Sequence, residues 1–138
     1  MGRIIGIDYG TKRVGLAVTD PLQIIASPME TVRAHEIISF LKNYCQQEDT
    51  EAFVVGMPRK LDNSETNATR HVEAFIKHLR KQFPDQEVHL QDERFTSKQA
   101  LDAMIAGGTT KKFRREKGNV DKISATIILQ SYLEKKQI

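Results

Sequence analysis

The sequence predicts an α/β fold: a mixed five-stranded sheet, three antiparallel strands and then two parallel ones, with helices on both faces. Three observations predict it. Apolar, β-branched and alternating runs open the chain in quick succession, as a β-meander requires. Beyond His35 the apolar period changes to three and four residues, and these helical stretches alternate with short strand-like runs, the order of βα crossovers. No repeat, linker or low-complexity stretch interrupts the 138 residues, so one domain spanning 1–138 is expected.

Each element has its own warrant. Ile4, Ile5 and Ile7 favour a first strand, which ends in Asp8. Val14, Leu16 and Val18 alternate with Gly15, Ala17 and Thr19, a half-buried second strand paired with the first around Gly10. Asp20-Pro21 makes a turn, and the stretch from Ile24 to Val32 is extended, with Pro28 confining it to an edge or a bulge. A first helix begins near His35, its stripe formed by Ile37, Leu41, Tyr44 and Cys45 and widened by Ile38. Ala52-Phe53-Val54-Val55-Gly56 is an unbroken apolar run, the pattern of a strand buried on both faces. Met57-Pro58 closes it, so Gly56 and Pro58 are expected at a structural turn, followed by a polar loop from Arg59 to Glu65.

A second helix is predicted from about Glu65 to Gln82, with Ala68, Val72, Phe75, Ile76, Leu79 and Phe83 on its apolar face. Glu87-Val88-His89-Leu90-Gln91-Asp92 alternates with period two, a strand with one covered face. Thr96 with Gln99 forms a capping box for a third helix, which carries Leu101, Met104 and Ile105 and ends at Gly107-Gly108. Asn119 is the expected cap of a last helix, with Ile123, Ile127, Ile128 and Leu133 on its stripe.

Composition narrows the function. Cys45 is the only cysteine, so a disulfide framework and a cysteine-rich zinc site are both excluded, and its place on a helical stripe marks it as a core residue. The chain opens directly on a strand without a basic-then-apolar leader, and no apolar run reaches membrane-spanning length. A cytoplasmic location and no membrane partner are therefore expected. The net charge of +3 is uneven. Lys111, Lys112, Arg114, Arg115 and Lys117, opposed only by Glu116, give the segment between Thr109 and Gly118 a charge of +4, which leaves −1 for the rest. So concentrated a patch points to a polyanionic partner.

Three acids stand at element ends: Asp8 closes the first strand, Glu93 closes the last strand, and Asp121 opens the last helix. In a mixed sheet the first strand and the two crossover strands run parallel, so their carboxyl ends meet at the edge where open α/β sheets place their sites. A last helix laid across the sheet brings Asp121 to the same edge. Each pair of carboxylates about 4 Å apart costs roughly 4 kcal/mol at an effective dielectric of 20, so such a cluster requires a proton or a cation. Hard oxygen ligands at an open edge suit Mg²⁺ or Mn²⁺. Each acid also has a plain structural explanation: a turn for Asp8, a surface ion pair for Glu93, and the helix dipole for Asp121. Asp92 points to the opposite face from its neighbour, so only one of that pair can join the cluster.

Ile7-Asp8-Tyr9-Gly10 with Lys12-Arg13-Val14-Gly15-Leu16-Ala17 resembles the opening motif of the YqgF/RuvX family of Holliday junction resolvases with a ribonuclease H-like fold. Val55-Gly56-Met57-Pro58, Asp92-Glu93-Arg94-Phe95-Thr96, and the segments Asp121-Lys122-Ile123-Ser124-Ala125 and Ile128-Leu129-Gln130-Ser131-Tyr132-Leu133 resemble its later motifs in the same order. The resemblance covers nearly the whole chain. It implies a metal-dependent nuclease whose catalytic and metal-binding acids are Asp8, Glu93 and Asp121, acting on the 5′ end of precursor 16S ribosomal RNA or on branched DNA. Lys12, Arg13, Arg94, Lys111, Lys112, Arg114, Arg115 and Lys117 are the expected nucleic-acid contacts, and a monomer or a homodimer is compatible with the resemblance. One departure stands out: Asn63 and Thr66 occupy places where the family's loop usually carries glycines.

Two rival functions follow from the same residues. Gly6-Ile7-Asp8-Tyr9-Gly10-Thr11 also resembles the first phosphate loop of the actin, sugar-kinase and heat-shock ATPase fold, in which Thr11 and backbone amides would touch nucleotide phosphates. That architecture places two such domains around a cleft, and this chain supplies one. A nucleic-acid-binding module with a silent site is the other rival, and the presence of all three acids argues against it.

Overall fold

In the computed structural model, which describes residues 2–58, 67–92 and 117–136, the chain forms β1 (Arg3–Tyr9), β2 (Arg13–Thr19), β3 (Ala26–Arg33), a 3-10 turn (Ala34–Glu36) and α1 (Ile37–Gln47). There follow β4 (Thr50–Met57), α2 (Asn67–Gln82), β5 (Glu87–Asp92) and α3 (Lys117–Lys136). The polar loop expected after Pro58, the helix expected after Thr96 and residues 111–116 of the basic segment lie outside the described residues. The five strands lie in the order β3-β2-β1-β4-β5. β1–β2 and β2–β3 are antiparallel, and β1–β4 and β4–β5 are parallel, the mixed sheet that the sequence predicts.

Side-chain alternation divides the sheet into two unlike faces. Ile5, Ile7, Val14, Leu16, Phe53, Val55 and Met57 pack under α1 and α2 in one core. Ile4, Ala17, Ala52 and Val54 pack under α3 in the other, against Ala125, Ile128, Leu129 and Leu133. β4 contributes to both cores, which is why its sequence is apolar without alternation. β3 is an edge strand, and its register shifts where Pro28 faces Ala17, the irregularity a proline imposes on a ladder.

The helices follow the predicted periodicity with local corrections. On α2, Val72, Phe75, Ile76 and Leu79 are buried as expected, but Ala68 is exposed and Thr69 is buried in its place. The Thr69 hydroxyl donates to the Pro58 carbonyl at 2.7 Å, a bond an alanine methyl cannot make. α3 begins at Lys117, so Asn119 lies inside the first turn and does not cap the helix. Ile128 and Leu133 are buried on α3, but Ile123 and Ile127 are only half-buried, and Ala125 and Leu129 take their places. The physical reason is the sheet face beneath, where Gly6, Gly15 and Ala17 let the helix backbone approach and make a small residue the contact.

The β2–β3 loop is held by two side chains. The Asp20 carboxylate accepts the amides of Leu22, Ile24 and Ile25 at 2.8–3.1 Å. Gln23 sits in the left-handed region, with φ of 60°, and is buried. Its Nε2 donates to the Gly2 carbonyl and to Glu51 Oε2, both at 2.8 Å, and its Oε1 accepts from Lys136 Nζ at 3.3 Å. Gln23→Ala strips the buried Gly2 carbonyl of its partner, along with two contacts to the exposed Glu51 and Lys136, and is expected to lower stability by about 1–3 kcal/mol, read as a lower urea midpoint at unchanged slope.

Candidate active site

The site is assembled from the end of β1, the turn into β2 and the first turns of α3. Asp8 pairs with Gly15 across the antiparallel ladder, and Gly6 pairs with Ala17. All four therefore share the face that α3 covers. Tyr9 points the other way, and its ring stacks on Phe75 of α2 with centroids 4.3 Å apart, anchoring the strand end from behind. The Gly10 amide donates to the Arg13 carbonyl at 2.9 Å, closing the turn. A Cβ on Gly10 would lie 2.6 Å from that same carbonyl oxygen, so the turn requires a glycine. The Ala34 amide donates to the Lys12 carbonyl at 2.9 Å, tying the turn to the body of the fold.

α3 delivers the second acid. A Cβ on Gly15 would stand 2.1 Å from the Asp121 carbonyl oxygen and 2.9 Å from its Cβ. A Cβ on Gly6 would meet Leu129 Cβ at 2.7 Å and the Ala125 carbonyl oxygen at 2.9 Å. Two glycines on adjacent strands thus form a bed that sets the height of the helix above the sheet. The helix packs mainly over β2, β3 and β1, with its N-terminal turns at the end where Asp8 emerges.

Asp8, Tyr9, Gly10, Thr11, Lys12, Arg13 and Asp121 line one cavity of about 360 Å³. Asp8 and Asp121, far apart in sequence, are both half-buried there, and Lys12 is exposed on the rim. Arg13 Nε donates to Asp121 Oδ2 at 3.0 Å, a contact that the sequence reading did not include. The glycine bed was also missed, although it left a signal: Gly6 and Asp8 share one strand parity, and Gly15 and Ala17 share the facing one.

The remaining site candidates divide in three. Gly56 lies inside β4, paired with Gln91, so it is a strand residue and the chain leaves the strand only at Pro58. Asp92 pairs with Met57, which belongs to the core opposite Asp8's face, so it faces away from the cavity as alternation predicts. Lys117 opens α3. Glu93, Arg94, Lys111, Lys112, Arg114 and Arg115 lie outside the described residues. Among the described residues no group of three metal-ligating side chains assembles, and the cavity unites two of the three predicted acids. Cys45 is half-buried against the first core, and burial pushes its thiol above the ordinary range, which suits a core residue and not a nucleophile.

Chemically, two carboxylates lining a cavity of this size are hard oxygen donors with room left for further oxygen ligands, which fits Mg²⁺ or Mn²⁺. The guanidinium on Asp121 shows that this acid recruits positive charge even within the protein itself.

Comparison with known proteins follows the same lines. Over 133 residues the chain is 54% identical to a protein of Amoebophilus asiaticus named "Putative pre-16S rRNA nuclease", covering 96% of this chain and 94% of that one. A Bacteroides fragilis protein of the same name is 47% identical over 138 residues, all of both chains. Among solved structures, Thermus thermophilus RuvC in complex with a Holliday junction substrate superposes with a TM-score of 0.61 at 19% identity, covering 99% of this chain and 96% of that one. That likeness is one of fold. The family model of RuvX, described as Holliday junction resolvase, matches residues 2–135, and the chain belongs to that family.

Proposed function

We propose that the protein is a metal-dependent nuclease that hydrolyses phosphodiester bonds of structured nucleic acid, and that its substrate is the 5′ end of precursor 16S ribosomal RNA in the cytoplasm. One observation carries the reading: Asp8 and Asp121 converge from separate elements on an open cavity whose rim bears Lys12 and Arg13. The names of the full-length relatives supply the substrate. Glu93, in the Asp92-Glu93-Arg94 motif that resembles the family's, is the proposed third carboxylate. Asp8, Asp121 and Glu93 would hold the ions, which when bound supply Lewis acidity at the scissile phosphate and lower the pKa of the attacking water.

The chain's own residues do the rest. Tyr9 on Phe75 fixes the strand end that carries Asp8, and the glycine bed fixes Asp121, so the two carboxylates meet the substrate without rearranging. Lys12 offers its ammonium to phosphate oxygens beside the acids. Arg94 and the basic residues Lys111, Lys112, Arg114, Arg115 and Lys117 are assigned to the flanking backbone, where such contacts position a strand without reading its sequence. Neutralising those five residues of the basic segment is expected to flatten the salt dependence of binding by roughly 0.7–0.9 in log–log slope per lost contact. An unchanged slope would remove the segment from the interface.

The family's description favours a second reading, cleavage of a four-way DNA junction, in which paired cuts would call for a two-fold dimer in place of a monomer. The deciding assay sets a precursor-16S RNA end beside a synthetic four-way junction, in Mg²⁺ and in Mn²⁺. Cleavage of the RNA alone is the expected result. Cleavage of the junction alone transfers the function to DNA, and tight RNA binding without cleavage of either identifies a silent binding module.

A further inference from the structure

The Arg13–Asp121 pair needs its own explanation. It joins the first residue of β2 to the early part of α3, 108 positions apart, through Nε and Oδ2 at 3.0 Å. The two side chains keep 40% and 23% of their exposure, so water screens the pair and its contribution to stability is small. Gly15 already sets the position of the Asp121 backbone by direct contact, so the fold does not need a guanidinium there. The pair's distinguishing feature is its place: both partners line the cavity that holds Asp8.

We propose that Arg13 stands in for a divalent cation at Asp121, and that loading of the ion displaces the guanidinium onto a phosphate oxygen of the substrate. The inference rests on the nuclease reading and concerns how that site is loaded. A guanidinium and a divalent ion on one carboxylate repel each other at close range, so the two compete for Asp121. Arginine suits the exchange better than lysine. While Nε holds the carboxylate, the two terminal nitrogens still carry donors in a planar fork that matches phosphate oxygens. By linkage the effect is reciprocal: a phosphate that draws Arg13 away opens Asp121 to the ion, and an ion on Asp121 releases Arg13 to the phosphate. Metal and substrate then load together, and each half-loaded state is disfavoured. Arg13 acts here as a positioning residue of the empty site and a phosphate ligand of the filled one.

The test is calorimetric titration of Mn²⁺ into the wild-type protein, R13Q, R13K and K12Q, with no nucleic acid present. R13Q is expected to bind Mn²⁺ about tenfold more tightly, equivalent to about 1.4 kcal/mol. R13K, which keeps the charge but loses the fork, should fall between R13Q and wild type. K12Q removes an equal charge from the same rim, but Lys12 does not bond to Asp121, so its gain should be smaller than about threefold. An R13Q affinity equal to or weaker than wild type overturns the proposal. So does a K12Q gain as large as that of R13Q, because the effect would then be the general field of the rim. If R13Q does not fold, R13K against K12Q makes the same comparison. Wild-type protein that binds no Mn²⁺ at millimolar concentration overturns this inference together with the metal-dependent reading. Normal wild-type binding with all variants alike overturns this inference alone.

Discussion

Asp8→Asn is expected to lower Mg²⁺-dependent cleavage by on the order of 10³-fold, about 4 kcal/mol of transition-state stabilisation, while the melting midpoint stays within a few degrees of wild type. Asparagine keeps the size and much of the hydrogen bonding of aspartate, so the strand end and the Tyr9–Phe75 stack behind it should survive. What it removes is one of two negative charges facing the same cavity. Activity should fall chiefly through kcat, with saturation by Mg²⁺ moved to higher concentration. Full Mg²⁺-dependent cleavage by Asp8→Asn, in a preparation free of contaminating nuclease, would refute the metal mechanism.

Gly15→Ala should produce a contrasting loss. The added methyl group would stand 2.1 Å from the Asp121 carbonyl oxygen, and that neighbour is helix backbone, not the yielding end of a side chain. Overpacking of this kind costs about 1–3 kcal/mol and more where backbone must move, so a loss of about 3 kcal/mol is expected. For a chain of this size that is a fall of roughly 10 °C in melting midpoint. The helix can relieve the contact only by rising from β2, which carries the Asp121 carboxylate away from Asp8. Cleavage and Mn²⁺ affinity should therefore fall with stability, whereas Asp8→Asn separates them. A Gly15→Ala protein with wild-type melting and wild-type metal affinity would show that the helix does not rest on that glycine.

The fold was largely legible because its signals are local. The β-branched run at Ile4–Ile7, the alternation at Val14–Val18, the double-sided run at Phe53–Val55 and the stripe on α2 each follow from burial on one or two faces. Errors appeared where a second element decided the outcome. α3 reads ambiguously because it is apolar on more than one side, and only the bare glycine face of β1 and β2 selects Ala125 and Leu129 as its contacts. Ala68 and Thr69 exchanged places because the Pro58 carbonyl, which periodicity does not include, recruits a hydroxyl. At the site, Asp8 stands at the end of β1 as expected, whereas Asp121, expected to open the last helix, lies past the first turn of α3, and it was the family resemblance that marked both. Their common cavity and the Arg13 pair required the tertiary path of α3, since an ion pair spanning 108 positions leaves no trace in local spacing.

The glycine bed also constrains how this protein can change over time. Asp121, Ala125 and Leu129 follow one another at intervals of four, and the bed touches all three. Each residue of an α-helix advances the azimuth by about 100°, so inserting or deleting one residue between Asp121 and Ala125 would swing the carboxylate more than a quarter turn from the cavity. The apolar contacts farther along would remain seated. Substitution can refine α3 freely at its outer positions, but its length between acid and anchor is fixed. For this helix, chemistry and packing are a single requirement on rotational phase.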